Sequence, residues 1–164
     1  MLRVLVACEF SGIVRDAFTT VGCDAVSCDI LPSERPGKHL QCDVRRLPLD
    51  EWDMLIAHPP CTYLCSSGAR WWSARQIEQQ EALQFCLDLL NAPCQYIALE
   101  NPVGYLSTHV RKPDQIVQPW HFGHAETKGT CLWLRNLPLL QPTDIIQGRK
   151  YPRVHFASPG KDRW

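Results

Sequence analysis

The chain opens on an apolar run, Leu2 to Cys8, broken only by Arg3, which gives way to Glu9-Phe10-Ser11-Gly12. A short Val/Leu-rich run closed by a turn predicts a buried strand. The apolar period then changes. Ile13, Val14, Ala17, Phe18 and Val21 recur at helical spacing, and Gly22 is a suitable helix stop. Asp24 to Ile30 predicts a second strand with Asp29 at its end. Leu31 to Leu40, with two prolines and a glycine, predicts a loop, and His39 to Val44 a short third strand with Asp43 near its end. Asp53 to Ala57 predicts a fourth strand, cut short by His58-Pro59-Pro60-Cys61. Ser73 to Leu90 predicts the clearest helix, with Ser73 as N-cap and Ile77, Ala82, Leu83, Phe85, Cys86, Leu89 and Leu90 as its buried face. Gln95 to Leu99 predicts a fifth strand, running into Glu100-Asn101-Pro102. Ile116 to Gln118 and Thr130 to Leu134 predict further strands, with turns at Gly123 and Gly129.

Strand and helix alternate through the N-terminal part, which predicts an α/β fold: a doubly wound, mostly parallel sheet with helices on both faces. The length of 164 residues fits one domain, and 45% hydrophobic residues suffice for a core. Residues 137–164 predict an irregular, basic tail, which from Gln147 onward carries Arg149, Lys150, Arg153, Lys161 and Arg163 against one acid, Asp162. Zero formal net charge argues against a uniformly basic nucleic-acid binder. No stretch has the length and apolarity of a membrane span, and no signal peptide is recognisable, so no membrane partner is expected. Nine cysteines, an odd number with several inside apolar runs (Cys8, Cys28, Cys86, Cys131), read as reduced core thiols of a cytoplasmic protein. Cys61 and Cys65 beside His58 offer zinc-like content, but paired C-x2-C elements are lacking, and no metal is expected.

In such sheets ligands sit beyond the carboxyl ends of the strands. Gly12 allows a ligand to approach the first helix, and Asp29 lies where an acid accepts bonds from ribose hydroxyls. Asp43 can serve a base in the same way. Cys61 and Glu100, each just past a strand, pair a thiol with a carboxyl group. A thiolate adds to an electron-poor carbon, and a protonated carboxyl beside it can hydrogen-bond a ring nitrogen.

The order Phe10-Ser11-Gly12, Asp29, Asp43, Pro60-Cys61 and Glu100-Asn101-Pro102 resembles the DNA cytosine carbon-5 methyltransferases, whose motifs run F-x-G-x-G, two strand-end acids, P-C-Q and E-N-V. Ser66-Ser67-Gly68 resembles the segment after that family's cysteine. The resemblance spans residues 1–104 and is closest to compact phage and prophage methylases, in which a tail like Gln118-Pro119-Trp120 and Thr130 to Leu134 occurs. It implies a Rossmann-like methyltransferase fold and S-adenosylmethionine as cofactor, bordered by Phe10, Gly12 and Pro60, with Asp29 on the ribose and Asp43 near the adenine. It implies Cys61 as the nucleophile toward carbon 6 of cytosine and Glu100 as the contact to ring nitrogen 3, with Asn101 and Lys128 as substrate contacts. The implied partner is DNA, including single-stranded DNA. Val14 replaces the second glycine, Thr62 the glutamine and Pro102 the valine, and no separate target recognition domain is expected.

Two other readings stay open. The chain can be a degenerate or shortened methyltransferase module that binds a partner or nucleic acid without catalysis. It can also be an amino methyltransferase, for which His58-Pro59-Pro60-Cys61 supplies the Pro-Pro but not the usual acceptor and aromatic residues.

Overall fold

In the computed structural model, described here for residues 1–152, a seven-stranded sheet runs β3-β2-β1-β4-β5-β7-β6. Its strands are β1 Arg3–Ala7, β2 Asp24–Asp29, β3 His39–Gln41, β4 Met54–Ala57, β5 Tyr96–Pro102, β6 Gln115–Val117 and β7 Thr130–Arg135. The first five are mutually parallel, and β7 is antiparallel to both β5 and β6. The helices are α1 Ile13–Thr20 and α2 Gln76–Leu90.

Alternation along the strands explains how the faces are covered. Val4 and Val6 of β1 join Ala25 and Met54 in one apolar cluster, against which Val14 and Phe18 of α1 pack. Leu5 and Ala7 point the other way, into a larger cluster with Leu55, Ala57, Ile97, Leu99 and the α2 residues Cys86 and Leu89. Residues 4–7 are fully buried because β1 lies mid-sheet between two helical layers.

Several expected details change. The helix expected from Ser73 begins at Gln76, because residues Ser66–Ala74 wind as a 3-10 helix that ends at Arg75. Ser73 is not the N-cap. Ile77, expected in the buried face, is 75% exposed, and Gln79 is buried in its stead with its Nε2 donating to the Tyr63 carbonyl. In α1, Ile13, Ala17 and Val21 face solvent, while Arg15 is 1% exposed. The Arg15 guanidinium donates to Asp16, Ser27, Ser33 and the Pro36 carbonyl, which pins the 31–38 loop beside β2. Of the four cysteines expected inside the core, Cys28, Cys86 and Cys131 are buried, whereas Cys8 is half-buried at the end of β1. Part of the expected basic tail, including Arg153, Lys161 and Arg163, lies outside the described residues. No helix among the described residues is long and apolar enough to cross a membrane.

Candidate functional site

The strand order turns around between β1 and β4. From β1 the sheet grows through β2 and β3 on one side and through β4 and β5 on the other. Crossovers leave in opposite directions at such a point, which opens a crevice at the carboxyl edge. Phe10, Gly12, Asp29, Asp43, Pro60, Cys61 and Glu100 all emerge on that edge, because each follows or ends one of the parallel strands.

The turn after β1 is shaped by two left-handed residues, Cys8 (φ 59°) and Gly12 (φ 72°). At Gly12 a β-carbon would also collide with the Arg15 guanidinium. Glu9, 6% exposed, turns inward, where its carboxylate accepts from the amides of Val14 (2.7 Å) and Arg15 (3.3 Å) and from the Ser11 hydroxyl (3.0 Å). The chain's own carboxylate therefore fills the positive end of α1. That excludes a pyrophosphate seated on this helix, as in dinucleotide folds. A cofactor without phosphates, held through ribose hydroxyls and ring contacts, would not meet that obstacle. S-Adenosylmethionine is of this kind. Asp29 Oδ1 accepts from the Leu31 amide (2.9 Å), and no hydrogen bond from the described residues engages Oδ2, which suits a ribose hydroxyl. Phe10 is half-buried, and its carbonyl accepts from the Glu34 amide at 2.9 Å.

Asp43 is committed elsewhere. It caps the short 3-10 helix Val44–Arg46 and accepts both a bidentate pair from the Arg45 guanidinium and a bond from the Arg45 amide. These bonds hold its carboxyl at about 2. An adenine amine would have to share it with Arg45.

β4 stops at Ala57, opposite Leu99 of β5, but β5 continues through Glu100, Asn101 and Pro102, paired only with β7. The flank of β5 that β4 abandons is where residues 58–61 turn away. His58 stays at the edge: its amide donates to the Ala7 carbonyl, and its Nδ1 lies 3.5 Å from Glu100 Oε2. Asn101, 1% exposed, donates through Nδ2 to the Pro59 carbonyl (3.0 Å). Alternation along β5 turns the Asn101 side chain inward, and it fastens the loop that carries Cys61.

A second fastening follows. Cys65 and Gly104 form an antiparallel bridge, the Tyr105 amide donates to the Leu64 carbonyl (2.7 Å), and the Ser66 amide to the Val103 carbonyl (3.3 Å). The loop after β4 is thus stitched to the loop after β5. Cys61 is half-buried within this frame. Burial pushes its thiol above the ordinary value, the neighbouring Cys65 and Glu100 push it further, and the Lys128 ammonium pulls it back. Glu100 and Lys128 therefore act on Cys61 from opposite sides of the charge balance. Lys128 itself is exposed on the turn before β7, and its amide donates to Gln118 Oε1. Among the described residues no group of three His, Cys, Asp or Glu is placed to hold a metal.

In the sequence Glu9, Gly104 and Arg15 carry no functional reading, and His58 only a zinc-like one. His58 directly precedes Pro-Pro-Cys and Gly104 closes Glu-Asn-Pro-Val-Gly, so their positions carried a signal. Nothing local marks Arg15 as buried.

No family model matches the chain, and no curated protein matches it. Among solved structures, a mutant of DNMT2 from Spodoptera frugiperda matches 92% of this chain with a TM-score of 0.51 and 16% sequence identity. The chain spans 55% of that protein's length. The likeness establishes the fold alone, a Rossmann-like, mostly parallel α/β sheet.

Proposed function

We propose that this chain transfers a methyl group from S-adenosylmethionine to carbon 5 of cytosine in nucleic acid, with DNA as the substrate, as in compact members of the family it resembles. The observation that carries the reading is the pairing of Cys61 with Glu100. They come from adjacent strand ends on the carboxyl edge, their loops are stitched through Leu64 and Tyr105, and Glu100 is near enough to move the Cys61 thiol.

In this reading Cys61 Sγ, once deprotonated, forms a bond to carbon 6 of the ring. Electron density moves toward ring nitrogen 3, which Glu100 protonates, and carbon 5 becomes nucleophilic. S-Adenosylmethionine, when bound, supplies the methyl group. Carbon 5 then loses its proton to water, its electron pair restores the ring double bond and expels the Cys61 thiolate, and ring nitrogen 3 returns its proton to Glu100. Lys128 favours the thiolate, and His58 at 3.5 Å orients the Glu100 carboxyl. Phe10, Gly12, Pro60 and Asp29 border the cofactor, with Asp29 Oδ2 receiving a ribose hydroxyl.

An oligonucleotide containing 5-fluorocytosine tests this reading directly. Fluorine cannot leave as a proton does, so intact-mass spectrometry should find the strand joined to the protein, and a Cys61→Ala variant should form no adduct. Absence of any adduct in the presence of cofactor would remove Cys61 as nucleophile. The reading as a module without catalysis draws on the Asp43–Arg45 pair, which occupies the acid assigned to adenine. Calorimetry separates the two: no heat of binding at millimolar S-adenosylmethionine favours the module.

A further inference from the structure

We infer that the 3-10 helix after Cys61 and the turn after β5 form a stacking surface for an unpaired polynucleotide strand, which would deliver its cytosine to Cys61. No Asp or Glu occurs between positions 54 and 77, nor between positions 101 and 113, although these segments flank the candidate site on both sides. They carry Arg70, Arg75, Arg111 and Lys112. Arg111 is paired with Asp114, but no carboxylate pairs with Arg70 or Arg75 among the described residues. Both instead lie over aromatic rings, Arg70 at 5.3 Å from the Trp71 ring centre and Arg75 at 5.8 Å from that of Tyr63. Each guanidinium thus keeps its charge for an outside anion.

The rings are presented as well as the charges. Trp71 is 53% exposed. Trp72 meets Tyr105 edge-on at 5.3 Å, and Tyr105 stacks on His109 at 4.2 Å. A recess of about 370 Å³ opens beside Trp72 and Tyr105 and is lined also by Ser73, Gln76, Gln79 and Gln80. Among the described residues the buried Trp72 indole N–H finds no acceptor, an arrangement that calls for an explanation in a folded chain. A second small recess joins Trp71 and Arg75 to Thr62, the residue after Cys61, so the surface is continuous with the candidate site.

Cations alternating with exposed flat rings are what a single strand requires: phosphates meet the guanidinium groups and bases lie on the rings. A duplex buries its base faces within the stack and offers the rings nothing. An acidic peptide would satisfy Arg70 and Arg75 but not Trp71. The inference rests on the proposed reaction for its purpose, while the binding it describes needs no catalysis.

Fluorescence anisotropy with a labelled oligonucleotide of about 15 nucleotides, single-stranded or annealed to its complement, tests the surface. Cys61→Ala protein serves as the parent, so no transfer intervenes. The single strand should bind more tightly than the duplex, and Trp71→Ala should weaken strand binding about tenfold, with Trp71→Phe restoring most of it. Arg70→Ala with Arg75→Ala should lower the salt slope on the single strand by about 1.4. Arg3→Ala, on the opposite edge of the sheet, should change nothing. Circular dichroism checks that each variant is folded. Equal binding of duplex and strand, insensitivity to Trp71, or Trp71-dependent self-association in place of strand binding would each overturn the inference. Trp71-dependent binding without methyl transfer by wild-type protein leaves the surface standing and sinks the reaction. Methyl transfer with an unchanged KM in Trp71→Ala does the reverse.

Discussion

Gly104 packs its α-carbon against the carbonyl of Leu64 so closely that no β-carbon fits between them. The Tyr105 amide then reaches that same carbonyl at 2.7 Å. This contact sets the distance between the loop bearing Cys61 and the strand bearing Glu100.

Gly104→Ala should therefore force the two loops apart, since the obstructing atom is backbone and cannot swing away. Urea denaturation should show a loss of about 1–3 kcal/mol. Methyl transfer should fall further than stability alone explains, because misplacing reacting groups by an ångström costs about 10²-fold. Unchanged transfer in Gly104→Ala would mean that the stitch does not set the geometry.

Charge around Cys61 predicts two variants with opposite signs. The thiolate is the species that reacts with iodoacetamide. Glu100 raises the Cys61 thiol and Lys128 lowers it. Glu100→Gln should increase the thiolate fraction and speed alkylation of Cys61, while Lys128→Met should slow it, as followed by peptide mass spectrometry across pH 7–9. Glu100→Gln should nevertheless slow methyl transfer by about 10²-fold or more, because the proton donor to the ring is lost. Parallel losses of both activities would assign Glu100 a merely structural part.

Asp29→Ala should weaken S-adenosylmethionine binding by about 1–3 kcal/mol in calorimetry, the cost of leaving a ribose hydroxyl without its acceptor. An unchanged affinity takes Asp29 out of the cofactor site.

Asp43 supplies a pH test. The hydrogen bonds from Arg45 hold its carboxyl at about 2 in the folded chain, below the ordinary 3.8. The folded state thus binds this proton more weakly than the unfolded chain. The pairing stabilises the fold above pH 4, and that contribution is lost as pH falls toward 2. Asp43→Ala should lower stability by about 1 kcal/mol at pH 7, where cap and ion pair are both intact. The gap to wild type should close on acidification. A gap that persists at pH 2 would place its origin in packing instead.

The α/β class, the strand ends that carry Asp29, Cys61 and Glu100, and the order in which they occur were legible in the residues themselves. Short apolar runs and their abrupt stops are local, and a parallel sheet obliges every such stop to fall on one edge. Tertiary structure decided what local pattern cannot encode. Which face of a helix is buried depends on what packs over it, so Ile77 went to solvent and Gln79 inside, and Arg15 was enclosed by the 31–38 loop. The partner of Asn101, the Pro59 carbonyl, depends on chain brought back from far along the sequence, whereas Asp43 and Glu9 find theirs within a few residues, in a short 3-10 turn and at the start of α1. The antiparallel insertion of β7 between β5 and β6 is likewise a matter of long-range pairing. The early stop of β4 at Ala57 leaves the other flank of β5 open beyond Leu99, which is where Glu100 meets His58.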